Sequence, residues 1–277
     1  MMNKLYINAC HPAFAQGSGV ATSDGIFSSR PRNKCGVTVM LASAITLFLS
    51  SNAYALNVYS PYVEEGMLEI ESKNRFDFDD RASEDNFRQH KLAVEYGFTS
   101  QWKAALYGEL EKENGSGYKY TATEIENIFQ FTEVGEYWAD VGALVAYEFK
   151  HPNGDADKFE AFLLLAKNFN KFTTMANIGF EQEVGSNSNS NPEGEIKWMA
   201  KYNYLPILSP GVEYYGEFGE ITNSDDYDSQ KHRLGPVMYG KFGHGFKYEA
   251  GVLFGISDAA EDYAVKLNLE YEFPVSW

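Results

Sequence analysis

From residue 66 to the end of the chain, apolar and polar residues alternate with a period of two. Tyr263–Trp277 shows it most clearly. Tyr263, Val265, Leu267, Leu269, Tyr271 and Phe273 share one parity, and Lys266, Asn268, Glu270 and Glu272 share the other. Successive side chains of a strand point to opposite faces, so this reads as a strand with one apolar and one wet face. Alternation and turn signals predict twelve such segments, at 66–77, 87–98, 102–112, 122–133, 137–150, 158–169, 171–184, 195–205, 211–219, 230–242, 245–256 and 263–277. The sixth is ambiguous, because Phe162 to Leu165 are apolar on both parities; Glu160 favours Phe159, Ala161, Leu163 and Leu165 as the outer set. Pro236 inside the tenth predicts a bulge or a local loss of pairing.

The connections alternate in length. Those after even segments are short, as at residues 99–101, 134–136, 170 and 243–244; those after odd segments are longer and polar, as at 113–121, 185–194 and 220–229. A soluble meander has no reason for this rhythm. A transmembrane barrel does, with tight periplasmic turns and longer outer loops. Strands of about eleven residues, tilted by about 40°, span the roughly 25 Å apolar band of such a barrel. A β-sandwich, the alternative, has shorter strands and a close-packed aliphatic inner face. The expected fold is therefore an all-β, twelve-stranded antiparallel up-and-down transmembrane β-barrel over residues 66–277, closed so that no sheet edge meets lipid.

The front end reads differently. Arg30, Arg32 and Lys34 precede an apolar run over residues 36–49, and Ala53-Tyr54-Ala55 follows. This is the arrangement of a Sec-type signal peptide, with cleavage expected after Ala55. The n-region is long, so residues 1–29 are either an extended leader or an over-extended start. Residues 56–65 are expected to be a periplasmic segment before the first strand. Both cysteines, Cys10 and Cys35, fall before residue 56. The remaining chain offers no disulfide, thiol nucleophile or thiolate metal ligand. The formal charge of −16 disfavours nucleic acid as a partner.

With its signal peptide, amphipathic strands and final Leu267-Asn268-Leu269-Glu270-Tyr271-Glu272-Phe273, the chain resembles Gram-negative outer-membrane β-barrel proteins. Segments such as Thr132–Trp138 and Glu213–Gly219 look like those of uncharacterised proteobacterial barrels of porin-like type. The resemblance implies an outer-membrane location and contact with outer-membrane lipids. It also implies recognition of the last strand by the barrel assembly machinery, with Phe273 or Trp277 as its terminal aromatic.

Candidate chemistry is sparse. Some twelve-stranded barrels are phospholipases with a Ser-His-Asn arrangement, but no serine is placed beside His90, His151, His232 or His244 by spacing, so no catalytic residue is assigned. Asp79-Asp80 and Asp225-Asp226-Tyr227-Asp228 lack EF-hand spacing, so no metal site or cofactor is assigned. The lumen is left as the candidate site. Parity gives it an acidic lining of Glu69, Glu71, Glu95, Glu109, Asp140 and Glu148, continued by Glu213, Glu217, Glu249 and Glu270. Its basic lining comprises Arg75, Lys91, Lys197 and Lys201, with Lys231, Arg233, Lys247 and Lys266. Leu267, Leu269, Tyr271 and Phe273 face lipid. Two readings follow. Charged walls could line a channel for small solutes, weakly cation-preferring because acids are in excess. Alternatively the charges pair off and fill a closed structural or binding barrel.

Overall fold

The computed structural model describes residues 56–151, 155–188 and 191–275. The signal-cleavage residues Ala53 and Ala55, and Trp277, lie outside them. Twelve strands follow one another: β1 (Met67–Phe78), β2 (Arg88–Thr99), β3 (Trp102–Lys112), β4 (Lys119–Gln130), β5 (Asp140–Lys150) and β6 (Asp157–Phe169), then β7 (Phe172–Val184), β8 (Glu193–Tyr202), β9 (Ser209–Glu220), β10 (Lys231–Phe242), β11 (Phe246–Gly255) and β12 (Tyr263–Pro274). Each pairs with its sequence neighbours, and β1 pairs antiparallel with β12 from Met67↔Pro274 to Phe78↔Tyr263. The sheet has no edge, which is the condition for strands to sit in lipid.

Alternation sorts the faces as expected. Ile70, Leu92, Leu106, Ile125, Leu163, Ile178 and Leu267 are exposed on the outside. Aromatic pairs flank this aliphatic belt. At the end holding both strand termini are Phe98–Trp102, Phe169–Phe172 and Phe242–Phe246. At the opposite, long-loop end are Phe78–Tyr263 and Tyr147–Phe149. Rings at two levels with hydrocarbon between them match a membrane's two interfaces.

Three local features differ from expectation. β4 begins at Lys119, earlier than the alternation suggested, and its connection to β5 spans residues 131–139 instead of a three-residue turn. That loop is held by its own bonds: Phe131 N–H to the Val141 carbonyl, and Gly135 N–H to Asp140 Oδ1 at 2.6 Å. Pro236 brings the expected local loss of pairing, without a bulge. The β10–β11 ladder skips Gly235 and Pro236, but its register is the same on either side.

The third difference is residues 56–63. They do not lie outside the barrel as a periplasmic segment but run into its interior. Tyr59 packs with Ile128, Leu144, Ala146, Phe162 and Leu164, while Leu56 packs with Met199, Tyr215, Val237, Tyr239, Leu253 and Ala264. Two glycines admit the segment. A Cβ on Gly97 would lie 2.0 Å from the Glu64 carbonyl oxygen, and one on Gly142 would lie 2.9 Å from the Pro61 Cβ. The apolar residues on the inner parity of β4, β5 and β6, including the ambiguous Phe162 and Leu164, are thereby explained, since they cover Tyr59.

Candidate functional site

Each strand turns at least one charged or amide side chain inward, because the inner parity is the polar one. Of the lumen residues expected from sequence, Arg75, Lys91, Glu95, Glu109, Asp140, Glu148, Lys197, Glu213, Arg233 and Lys266 are buried in the interior. Glu69, Glu71, Lys201, Glu217, Lys231, Lys247, Glu249 and Glu270 are partly buried. On β12, Leu267 and Tyr271 are exposed, and Leu269 and Phe273 partly so.

Cations and carboxylates interleave and do not form two opposed walls. Lys91 on β2 sits 2.9 Å from both Glu109 and Glu124 and 3.4 Å from Glu148, so it bridges β3, β4 and β5. Lys266 on β12 reaches Glu213 at 2.8 Å and Glu249 at 3.1 Å. The hydroxyls of Tyr215 and Tyr239 also donate to Glu213, at 2.7 and 2.6 Å. Lys73 pairs with Glu71, Lys197 with Glu195, and Lys158 with Glu181, at 3.0, 3.1 and 3.0 Å. A charge removed from water needs such a partner, and the alternating register supplies one on a neighbouring strand or two residues along. Glu124, Lys158, Glu181 and Glu195 had the inward parity, yet sequence reasoning left them out of the lining. Alternation in their strands carried the signal.

Residues 56–63 cross the interior at the waist. The Asn177 side chain brackets Tyr59: its Oδ1 accepts from Tyr59 N–H at 2.7 Å, and its Nδ2 donates to the Tyr59 carbonyl at 2.9 Å. Val63 N–H donates to Gln130 Oε1 at 2.9 Å, and the Tyr62 hydroxyl donates to Asp140 at 2.7 Å. The Tyr59 ring lies 5.0 Å from the Lys73 ammonium and 5.6 Å from that of Lys197, near enough for cation–π attraction. Toward the terminal end the lumen opens into a vestibule of 610 Å³, bordered by Asn57, Lys201, Asn203, Tyr239, Lys247 and Glu270 among others.

The long-loop mouth is narrowed by residues 256–262, which fold inward. Buried Glu261 accepts from Arg233 Nε at 2.7 Å and Arg75 Nη2 at 3.2 Å. Burial alone would raise the Glu261 pKa; the two guanidiniums outweigh it and hold the group down to about 2. Arg81, paired with Asp79 at 2.6 Å, donates to the carbonyls of Asp258 and Ala260 and ties this loop to the one after β1. The hydrogen bonds from Arg81 hold the Asp79 carboxyl below its usual range.

The histidines are engaged elsewhere. Ring nitrogens of His90 meet Asn74 and Tyr118, that of His151 meets Thr123, and those of His232 meet Tyr214 and Gln230. Among the described residues no histidine ring is paired with a serine hydroxyl, so the Ser-His-Asn arrangement is not assembled.

The family model described as "Putative MetA-pathway of phenol degradation" matches residues 144–273, short of half the chain. No curated protein matches by sequence. Solved structures do match in shape. The KdgM porin in complex with disordered oligogalacturonate has a TM-score of 0.53 at 10% identity, over 74% of this chain and 99% of that chain. The KdgM porin alone gives 0.51 at 10% identity, over the same shares of the two chains. The NanC porin gives 0.50 at 8% identity, over 74% of this chain and 98% of that one. At such identity the likeness speaks to fold, and what it says agrees with the closed sheet, the aliphatic belt and the paired girdles: the chain is a twelve-stranded β-barrel of outer-membrane porin architecture.

Proposed function

We propose that this protein is a non-enzymatic outer-membrane channel for small solutes, weakly preferring cations. The observation that carries this reading is the inner face. Lys73, Lys91, Glu109, Glu126, Glu148, Lys158, Asn177, Lys197, Glu213, Arg233, Glu249 and Lys266 give all twelve strands a charged or amide residue there. A barrel serving only as an anchor could fill its interior with aliphatic side chains, whereas a solute path needs a wettable wall. The cation preference rests on the excess of inward carboxylates over inward cations; ions of the favoured sign concentrate in a charged lumen. The vestibule of 610 Å³ suits a small solute. The aliphatic belt would contact outer-membrane lipid. Leu267, Leu269, Tyr271 and Phe273 would present the last strand to the assembly machinery, after export directed by the leader ending at Ala55.

A second reading, a closed structural or binding barrel, draws support from the filled waist and from the charges that pair off around it, as Lys91 and Lys266 do. Planar-bilayer recording separates the two. A channel gives discrete conductance steps, with a reversal potential in a salt gradient displaced toward the cation value. Folded protein that stays silent, with residues 56–63 in place or released, removes the channel and leaves the binding barrel.

A further inference from the structure

We propose that residues 56–63 are a gate: they occupy the waist of the barrel and leave it when a solute crosses. This rests on the channel reading above. The segment, Leu56-Asn57-Val58-Tyr59-Ser60-Pro61-Tyr62-Val63, has no charged side chain, although it lies in a lumen organised by ion pairs. Among the described residues, its backbone makes no ladder with the wall; no strand pairing or other backbone–backbone bond includes residues 56–63. It is fastened by side chains: the two bonds of Asn177, that of Gln130, the hydroxyl of Tyr62, and the packing of Leu56 and Tyr59 in the two apolar clusters. Side-chain fastening at a few points can be undone without breaking the sheet.

The charges of the wall do not need the segment. Lys73 and Lys197, which face the Tyr59 ring, already have Glu71 and Glu195 as partners, so their charges stay compensated when Tyr59 departs. The face left behind includes Asn177, Gln130, Asp140 and both ammonium groups, which water can solvate, beside the apolar Ile128, Leu144, Phe162 and Leu164, whose exposure favours the closed position when no solute is present. A hinge and a destination are also present. Gly66 adopts φ +75°, a left-handed conformation suited to glycine, between exposed Glu64–Glu65 and β1. The 610 Å³ vestibule lies beside Asn57, so the segment has space on the side where it is tethered.

The test is single-channel recording on protein purified from outer membranes, with heat-modifiable gel migration as the check of folding. Asn177→Leu removes both clamping bonds and keeps the side chain's bulk; the open fraction should rise roughly tenfold. A second variant, Tyr59→Cys/Asn177→Cys with Cys10 and Cys35 changed to serine, joins segment to wall. The Asn177 amide already touches the Tyr59 backbone, so a disulfide or short bis-thiol linker can span the two positions. The joined protein should be silent and recover conductance on reduction. Equal conductance by wild type, Asn177→Leu and the joined pair would overturn the gate and leave the channel standing. If every protein migrates as a folded barrel and none conducts, reduced or oxidised, the channel reading falls and takes the gate with it.

Discussion

Replacing Lys266 by methionine tests whether the interior ion clusters hold the barrel together. Lys266 and Glu213 are each 1% exposed. The ammonium touches both oxygens of Glu213, at 3.0 and 2.8 Å, and Glu249 at 3.1 Å. Lys266→Met keeps the length of the side chain but strands a buried carboxylate. Breaking a buried pair in this way costs about 3–5 kcal/mol. The hydroxyls of Tyr215 and Tyr239 still donate to Glu213, which places the expected loss near the lower end, about 3 kcal/mol. Adding Glu213→Gln removes the stranded charge and should return about 2 kcal/mol of that loss. Urea unfolding in lipid vesicles, followed by tryptophan fluorescence, gives the four corners of the double-mutant cycle. A Lys266→Met cost below about 1 kcal/mol, or a coupling energy near zero, would refute the view that these pairs are energetically closed units.

Leu267→Arg places a cation on the lipid face near mid-membrane and should cost about 2–4 kcal/mol in the same unfolding assay. Glu270→Gln, on the opposite face of β12, should instead shift the reversal potential with a smaller change in stability; equal losses of stability would mean the faces are misassigned. Glu261 has a folded-state pKa lowered from 4.5 to about 2, so its tether to Arg75 and Arg233 is complete above pH 4.5 and lost as pH falls through about 2. A fluorophore attached at Asp258 should therefore gain mobility over that interval, and one that stays equally restrained down to pH 2 would contradict the tether. Arg81→Ala removes the bonds to the carbonyls of Asp258 and Ala260 and should make the loop at 256–262 more protease-sensitive at neutral pH, with under about 1 kcal/mol of change in the barrel.

The sequence alone determined the strand count, the closure and which side chains face lipid. These depend on a period of two, and that period is read between residues i and i+2. Leu267 and Lys266 declare their faces without reference to any distant part of the chain. The sixth strand shows where local reading stops. Phe162 and Leu164 broke the alternation, and nothing near them said why. Their partner is Tyr59, about a hundred positions earlier, in a segment with neither period nor charged side chains. Likewise Asn177 could be placed on the inner face, but its bond to the Tyr59 backbone spans 118 positions and exists only once the barrel has closed around it. Which cation meets which carboxylate was equally out of reach. Parity put Lys91, Glu109 and Glu148 in the lumen, but only the stagger of β2 to β5 brings one ammonium within 3.4 Å of both acids. Local periodicity is enough to build the wall. What fills it depends on contacts between residues far apart in the chain, and those follow from the register of a closed sheet and from the passage of residues 56–63 through it.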